Sequence, residues 1–249
     1  MRILVFQHLA AEGPGVLLDF WLDRGHECTV VELDEGDEIP SFENYDLLAV
    51  MGGPMHVWQE GVHPWLVREK SAIRKWVVDD RKPYLGMCLG HQLLAVALGG
   101  QVSPMPRPEV GLAEIELTAE GACDAMFEGF SSLRRVFQWH SAEVSRVPAG
   151  SVVLAENDAC AVQAMRWGVC AYGFQFHAEI SETTVTDWES IPQYMESLCE
   201  ALGAERAHLL AAEVRPLLPN FRSDAYLLSE NLREIVLRNR PHSDDDRPA

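Results

Sequence analysis

A cysteine lies between two glycines in the segment Leu85-Gly86-Met87-Cys88-Leu89-Gly90. The residues before Cys88 have the pattern of a buried strand and those after it the pattern of a helix, the context of a G-x-nucleophile-x-G elbow. Glycines permit the sharp turn and close backbone approach of such an elbow. At a helix N-terminus, partial positive charge favours the thiolate, and the backbone N–H of Leu89 faces a developing oxyanion. The segment predicts Cys88 as a nucleophile that attacks a carbonyl carbon.

A thiol nucleophile needs an imidazole to accept its proton and a third group to orient that imidazole. The segment Gly173-Phe174-Gln175-Phe176-His177-Ala178-Glu179 ends an aromatic-rich strand candidate with His177 and Glu179 two residues apart. Residues i and i+2 of an extended chain project to the same side, so Glu179 can reach the ring of His177. We predict His177 as the base and Glu179 as its orienting carboxylate, although this spacing alone also occurs by chance.

The other cysteines have no comparable context. They form no CxxC pair and have no metal-like spacing with histidine, so the sequence predicts no metal site. We interpret them as small core residues and, without a secretion signal, as reduced thiols of a cytoplasmic protein. These cysteines are Cys28, Cys123, Cys160, Cys170 and Cys199.

The first hundred residues alternate between apolar runs of strand length and amphipathic segments of helix length, which predicts a parallel sheet covered by helices on both faces. The strand candidates are Ile3–Phe6, Cys28–Leu33, Leu47–Met51 and Pro83–Met87, of which Cys28–Leu33 and Leu47–Met51 are interpreted as buried. The helix candidates are Val16–Arg24, Trp65–Asp79 and Leu89–Leu98.

The middle of the chain has short strand-like segments with little helix between them, which predicts meandering strands that extend or flank the sheet. These segments are Ala113–Leu117, Arg135–Gln138, Ser151–Ala155, Ala161–Arg166 and Val169–Phe176. Helical patterning returns from Thr184 to Leu237. No repeat or linker divides the chain, so we predict one domain over residues 1–240 and a charged, fraying tail over residues 241–249.

Composition excludes several classes of function. The chain has 249 residues, 47% of them hydrophobic, enough for one substantial core. No run of 18 apolar residues predicts a membrane span, and the apolar start is too short for a signal peptide. A net charge of −18 argues against binding to nucleic acid, whose phosphates require basic patches.

Several blocks of sequence, in order along nearly the whole chain, resemble the class I (triad) glutamine amidotransferases. The resemblance is closest to free-standing relatives of the glutaminase domain of GMP synthase. The blocks are Tyr45–Met55, Lys82–Gln92, Gly99–Val102, Phe137–His140, Gln163–Ala164 and Gly173–Glu179. The resemblance implies a flavodoxin-like, three-layer α/β fold with a parallel or mixed sheet and helices on both faces.

The resemblance also implies roles for individual residues and no cofactor. Cys88 would form a γ-glutamyl thioester, His177 would act as general base and acid, and Glu179 would orient it. The backbone N–H groups of Gly53 and Leu89 would form the oxyanion hole. The residues implied to contact the substrate are Gln92, His140 and Ser141.

The chain departs from the family at one loop. Relatives commonly have His-Gly-Asp where this chain has His140-Ser141-Ala142. Loss of the acid removes a partner for the substrate's ammonium group, and Glu143 is a candidate substitute one position on. His140 is interpreted either as a substrate contact or as a structural loop histidine.

Three functions follow from these residues. The first is a glutaminase that passes ammonia to a separate synthetase chain, because no ATP-binding fingerprint is present. The second is a stand-alone hydrolase or peptidase acting on γ-glutamyl amides or conjugates, which the altered loop favours. The third is a binding or regulatory protein with a vestigial site, against which the intact set of Cys88, His177 and Glu179 argues.

Overall fold

A computed structural model describes residues 1–239, and the predicted tail over residues 241–249 lies outside the described residues. The strands are β1 (Arg2–Gln7), β2 (Glu27–Glu32), β3 (Leu47–Val50), β4 (Tyr84–Met87), β5 (Gln101–Leu117), β6 (Leu133–Arg146), β7 (Ser151–Glu156), β8 (Ala164–Trp167) and β9 (Ala171–Phe174). The α-helices are α1 (Val16–Asp23), α2 (Trp65–Arg74), α3 (Leu89–Ala97), α4 (Thr184–Glu189), α5 (Pro192–Leu202), α6 (Ala204–Ala207), α7 (Leu210–Val214) and α8 (Leu218–Arg238). A π-helical turn, Lys75–Asp79, extends α2.

The described strands form one sheet in the order β2-β1-β3-β4-β9-β8-β7-β5-β6. Its first half is parallel, since β1 pairs with β2 and β3, and β4 pairs with β3 and β9. The remaining pairs are antiparallel. The predicted parallel sheet extended by meandering strands is therefore confirmed.

Helices cover both faces of the sheet. One apolar core packs α1 and α8 against it, and a second packs α2 and α3 against the opposite face. A third, aromatic-rich core lies between the β5–β6 hairpin and helices α4, α5 and α7. The arrangement confirms the predicted three-layer α/β fold.

Three element predictions are corrected. Strand β2 lies at the edge of the sheet and is largely exposed rather than buried, because β1 is its one partner among the described strands. The segments predicted at Ala113–Leu117 and Arg135–Gln138 belong to the much longer strands β5 and β6. The helical region predicted from Thr184 to Leu237 is divided into α4 to α8. Gly203 separates α5 from α6, and Pro219 lies in the first turn of α8.

The parallel strands bring the predicted chemistry to one edge of the sheet. The carboxyl ends of β1, β3, β4 and β9 lie side by side, and ligands of such sheets bind at that edge. Cys88 follows β4, Gly52 and Gly53 follow β3, and His177 follows β9. In the described part of the chain, no helix has the length and apolar character needed to cross a membrane.

Candidate active site

Cys88 occupies a sharp turn between β4 and α3. Its φ of 46° is positive, which side-chain-bearing residues rarely adopt, as expected for a nucleophile elbow. The turn requires its flanking glycines. A Cβ at Gly86 would lie 2.6 Å from the Gly90 backbone, and one at Gly90 would collide with the carbonyl oxygen of Val50. The elbow therefore forms because two strand ends meet the helix start without side chains between them.

The Cys88 sulfur is nearly buried and has polar neighbours. The Gln175 side-chain amide donates to Sγ at 3.6 Å, and the carbonyl oxygen of Trp139 lies 3.8 Å from it. An N–H donor to sulfur stabilises a thiolate, as does the start of α3. Cys88, Gly53 and Leu89 line the same cavity.

His177 and Glu179 form a buried pair directly after β9. The ring atom Nδ1 lies 2.7 Å from a Glu179 carboxylate oxygen, and His177 and Glu179 are 2% and 3% exposed. Burial acts to lower the pKa of His177, but the charges and hydrogen bonds of Glu179 and Cys88 outweigh it and raise this pKa well above 6.5. Within residues 1–239, ring atom Nε2 is buried without a hydrogen-bond partner, and the Cys88 thiol is close enough to the ring to raise its pKa. The ring is held edge-on against Trp188, with ring centroids 4.6 Å apart.

A second buried histidine fixes the Gly52–Gly53 loop. His8, just after β1, donates from Nδ1 to the carbonyl oxygen of Gly52 at 2.7 Å, while Nε2 lies 2.8 Å from Glu69 of α2. Burial tends to lower the pKa of His8, but Glu69 outweighs it, so the pKa is raised. The loop implied as half of the oxyanion hole is thus held by an ion pair that the sequence did not reveal.

A cavity of about 230 Å³ opens above the cysteine. Its inner wall contains the predicted residues Gly53, Cys88 and Leu89, and β6 supplies a second wall with His140 and Ser141. Its outer wall comes from α5, which the sequence analysis did not connect with the site. The α5 residues that line the cavity are Gln193, Tyr194, Glu196, Ser197 and Glu200.

Gln92 lines the cavity, but its amide nitrogen is already engaged. It donates to the carbonyl oxygen of Ala142 at 3.0 Å and to the side-chain oxygen of Gln175 at 3.1 Å. Gln175 in turn donates to Cys88. Gln92 therefore orients the neighbours of the nucleophile, and only its amide oxygen is free of a hydrogen bond within residues 1–239.

His140 is held on both sides. Nδ1 donates to the carbonyl oxygen of Ala142 at 3.0 Å, and Nε2 lies 3.0 Å from the Glu109 carboxylate. Glu109 also accepts from Asn157 and Gln163. Burial tends to raise the pKa of Glu109, but these partners, His140 first, lower it. This network favours the structural interpretation of His140 over a direct substrate contact.

The altered loop places different groups in the cavity than the sequence suggested. Ser141 and Ala142 both line the cavity, but Ala142 is only 2% exposed, and its carbonyl oxygen accepts hydrogen bonds from Gln92 and His140. Glu143, the candidate substitute acid, is not among the lining residues. The carboxylates at this rim come instead from Glu196 and Glu200 of α5.

A third buried carboxylate, Glu12, adjoins the His177–Glu179 pair. One ring nitrogen of His177 and one oxygen from each of Glu12 and Glu179 lie within 4.8 Å of one another. These residue types bind cations, but one oxygen of each carboxylate already accepts a hydrogen bond here. Glu179 accepts from His177 and Glu12 accepts from Tyr194, so we assign no metal ligands. Polar residues just after a parallel strand, such as Glu12 after β1, could have signalled this position.

The family model for class I glutamine amidotransferases matches residues 16–188 of this chain. The chain belongs to the class I glutamine amidotransferase family. The matched region contains the elbow, the Gly52–Gly53 loop and the His177–Glu179 pair.

Two relatives and one solved structure illustrate this membership. The Salmonella typhimurium protein YfeJ, described as glutamine amidotransferase-like, is 30% identical over 82% of this chain and 85% of its own length. A subunit of the glutamine-hydrolysing GMP synthase of Ignicoccus hospitalis is 34% identical over 58% of this chain and 72% of its own. The crystal structure of a glutamine amidotransferase from Methylobacillus flagellatus superposes with a TM-score of 0.84 at 28% identity, covering 97% of this chain and 98% of that chain.

The surroundings of the amidotransferase site extend beyond the matched region. His8 and Glu12 precede residue 16, and Tyr194, Glu196 and Glu200 follow residue 188. The elbow and the His177–Glu179 pair therefore lie inside the region that the family model describes, whereas the cavity wall from α5 and the buried acid Glu12 lie outside it.

Proposed function

We propose that this chain is a cysteine-dependent glutamine amidohydrolase that releases ammonia through a γ-glutamyl thioester. The observation that carries the proposal is the position of Cys88, on a strained elbow and in the same buried site as the His177–Glu179 pair. Such a base beside a thiol at a helix start is the arrangement that activates a nucleophile.

In the proposed acylation step, His177 accepts the Cys88 proton and Sγ attacks the side-chain amide carbon of glutamine. The carbonyl electrons move to oxygen, and the N–H groups of Gly53 and Leu89 donate to this oxyanion. His177 then gives its proton to the amide nitrogen. The C–N bond breaks, ammonia leaves, and the glutamyl group remains bound to sulfur as a thioester.

In the proposed deacylation step, water attacks the thioester carbon while His177 accepts a proton from it. The second tetrahedral intermediate collapses, the C–S bond breaks and the proton returns to Cys88, which releases glutamate. Glu179 keeps the ring in one tautomer and supports the imidazolium in both steps.

We further propose that the ammonia serves a separate synthetase chain. The relative from Ignicoccus hospitalis is itself one subunit of a glutamine-hydrolysing synthase. The sequence has no ATP-binding fingerprint that would let this chain activate an acceptor.

A γ-glutamyl hydrolase is the second candidate, favoured by the composition of the cavity. Ala142 stands where relatives commonly have an acid, and the rim carboxylates lie on α5 instead. A cavity without that acid lacks this partner for the α-ammonium group of glutamine, which favours γ-glutamyl compounds whose α-amino group is blocked. This candidate uses the same thioester chemistry and differs only in the leaving amine.

One assay separates the two candidates. The wild type is incubated with glutamine and with γ-glutamyl amides that have free or blocked α-amino groups, and released amine and glutamate are measured by mass spectrometry. We expect glutamine to be hydrolysed and Cys88→Ala to be inactive. Preference for substituted amides would favour the γ-glutamyl hydrolase.

Cys160→Ala is the matched control, because Cys160 is also buried and burial raises the pKa of its thiol to about 12. This control should retain full activity. Turnover by folded Cys88→Ala would contradict both candidates.

A further inference from the structure

His177 lies between two carboxylates, of which the family's triad uses only one. Glu179 accepts the Nδ1 hydrogen bond. One oxygen of Glu12 lies within 4.8 Å of a His177 ring nitrogen and of a Glu179 oxygen. Glu12 is 2% exposed. Within residues 1–239, its Oε2 atom is buried without a hydrogen-bond partner and lies against Gly52, where an added Cβ would collide with it. Because no hydrogen bond joins Glu12 to the His177 ring among the described residues, the carboxylate acts on the imidazole through its charge.

The segment that carries Glu12 is fastened to the segment that carries Glu179. Trp188 donates from its indole nitrogen to the carbonyl oxygen of Ala11 at 2.9 Å. The backbone N–H of Val16 donates to the carbonyl oxygen of Glu179 at 2.9 Å. These two hydrogen bonds, one on each side of Glu12 in the chain, fix the position of Glu12 relative to His177.

Tyr194 links this buried acid to the substrate cavity. Its hydroxyl donates to the Oε1 atom of Glu12, and its ring lines the cavity wall formed by α5. Tyr194 itself is buried, so its hydroxyl has no competing solvent. Burial of Glu12 would be costly without such a partner.

The groups around Glu12 have opposing effects on it. Burial raises the pKa of Glu12 to about 7, while His177, the Tyr194 hydroxyl and His8 act to lower it and Glu179 acts to raise it. The Cys88 sulfur adjoins the same imidazole. The pKa of Glu12 is therefore close to that of an ordinary histidine, so Glu12 becomes negatively charged at about the pH at which such a histidine loses its positive charge.

We propose that Glu12 is a positioning residue for the catalytic base: its carboxylate, held by Tyr194, stabilises the imidazolium form of His177. The proposal rests on the proposed function, in which His177 must keep the thiol proton until ammonia leaves. Glu12 is not among the residues that line the cavity, so it acts on the reaction through the His177 ring. It adds to Glu179, which fixes the tautomer.

The direction of the effect follows from charge. Replacing the carboxylate with a neutral amide removes a favourable interaction with the imidazolium, so His177 would lose its proton at a lower pH. An opposite charge at this range typically shifts a pKa by about 1–3 units. Once His177 holds the Cys88 proton, the reactive state is a thiolate–imidazolium pair, so the alkaline limb of kcat/KM reports loss of the imidazolium proton and would move in the same direction.

The test is an NMR titration of carbon-13-labelled histidine rings in the wild type and in Glu12→Gln, with the His177 signal assigned by His177→Gln. We expect the pKa of His177 to fall by about one unit or more in Glu12→Gln. Tyr194→Phe should give a smaller fall, because loss of its hydrogen bond favours the neutral form of Glu12. Glu12→Asp should restore most of the wild-type value.

Glu205→Gln, on the exposed face of α6, is the control and should leave the titration unchanged. An unchanged pKa of His177 in folded Glu12→Gln would overturn the proposal. If that variant does not fold, an unchanged value in Tyr194→Phe would do so. The titration needs no substrate, so it decides the role of Glu12 even if the wild type fails to hydrolyse glutamine.

Discussion

Cys88 has a backbone conformation that its own side chain disfavours. Such positions cost about 1–3 kcal/mol each and persist where the surroundings determine them. Here the backbone N–H of Cys88 donates to the carbonyl oxygen of Phe174 at 2.8 Å, and that of Gly90 to Met51 at 3.1 Å. The strained turn is thus tied to two neighbouring strands, and these bonds hold Cys88 in the cavity wall.

The proposed roles of His177 and Glu179 predict unequal losses on substitution. His177→Asn removes the base, whereas Glu179→Gln leaves a base that is less well oriented and less able to hold a proton. We expect kcat/KM to fall in both variants, and by roughly a further ten-fold or more in His177→Asn. Initial rates across the pH range would measure both losses, with Cys88→Ala as the inactive reference. Wild-type rates for Glu179→Gln at saturating substrate would remove Glu179 from the site.

The sequence predicted the residues whose partners are close in the chain and failed for those whose partners are distant. His177 and Glu179 are two residues apart, so strand geometry alone suggested their contact. The hydrogen bonds that satisfy Gln92 and His140 come from Ala142, Gln175 and Glu109, and only the fold brings most of these together. The Glu12–Tyr194 contact joins residues 182 positions apart and has no local signal.

At the scale of elements, the parallel half of the sheet was predictable and the hairpin was not. Strands such as β3 and β4 are short and apolar, and a glycine follows each of them closely in the chain. Strand β5 contains Pro104, Pro106 and Pro108, which argue against a strand because proline lacks the N–H that pairs strands. Pairing with β6 overrides this, with a register shift between Pro104 and Glu109 that accommodates the prolines.

The junction of β3, β4 and α3 predicts that Gly90→Ala is damaging. The new Cβ would collide with the Val50 carbonyl oxygen, so α3 must move and carry the elbow with it. Displacement of a nucleophile by about 1 Å can cost a hundred-fold in rate, which is the loss we expect in kcat/KM. Gly61→Ala is the control, because a Cβ there meets no atom within 4 Å. Equal activity and melting temperature of the two variants would show that the elbow tolerates the displacement.

At the scale of the whole molecule, α8 lies outside the region matched by the family model and yet packs into the same core as the site's strands. Arg24, at the end of α1, contacts Glu230 of α8 at 2.7 Å. Leu228 and Leu232 belong to the buried cluster that includes Met87 and Phe174, the last residues of β4 and β9. We therefore propose, as the sequence predicted, that the amidotransferase region and the C-terminal helices fold as one domain.

Leu232→Ala tests this proposal. Leu232 is 2% exposed, so its truncation should cost about 2–5 kcal/mol and lower the melting temperature by roughly 5–15 °C. Leu237→Ala, on the same helix but 37% exposed, should change stability by less than about 1 kcal/mol. In one domain, calorimetry of Leu232→Ala should show a single transition shifted as a whole, and thiol labelling of Cys88 should begin at that lower temperature. A low-temperature transition that left Cys88 protected would mean that α8 unfolds independently of the site.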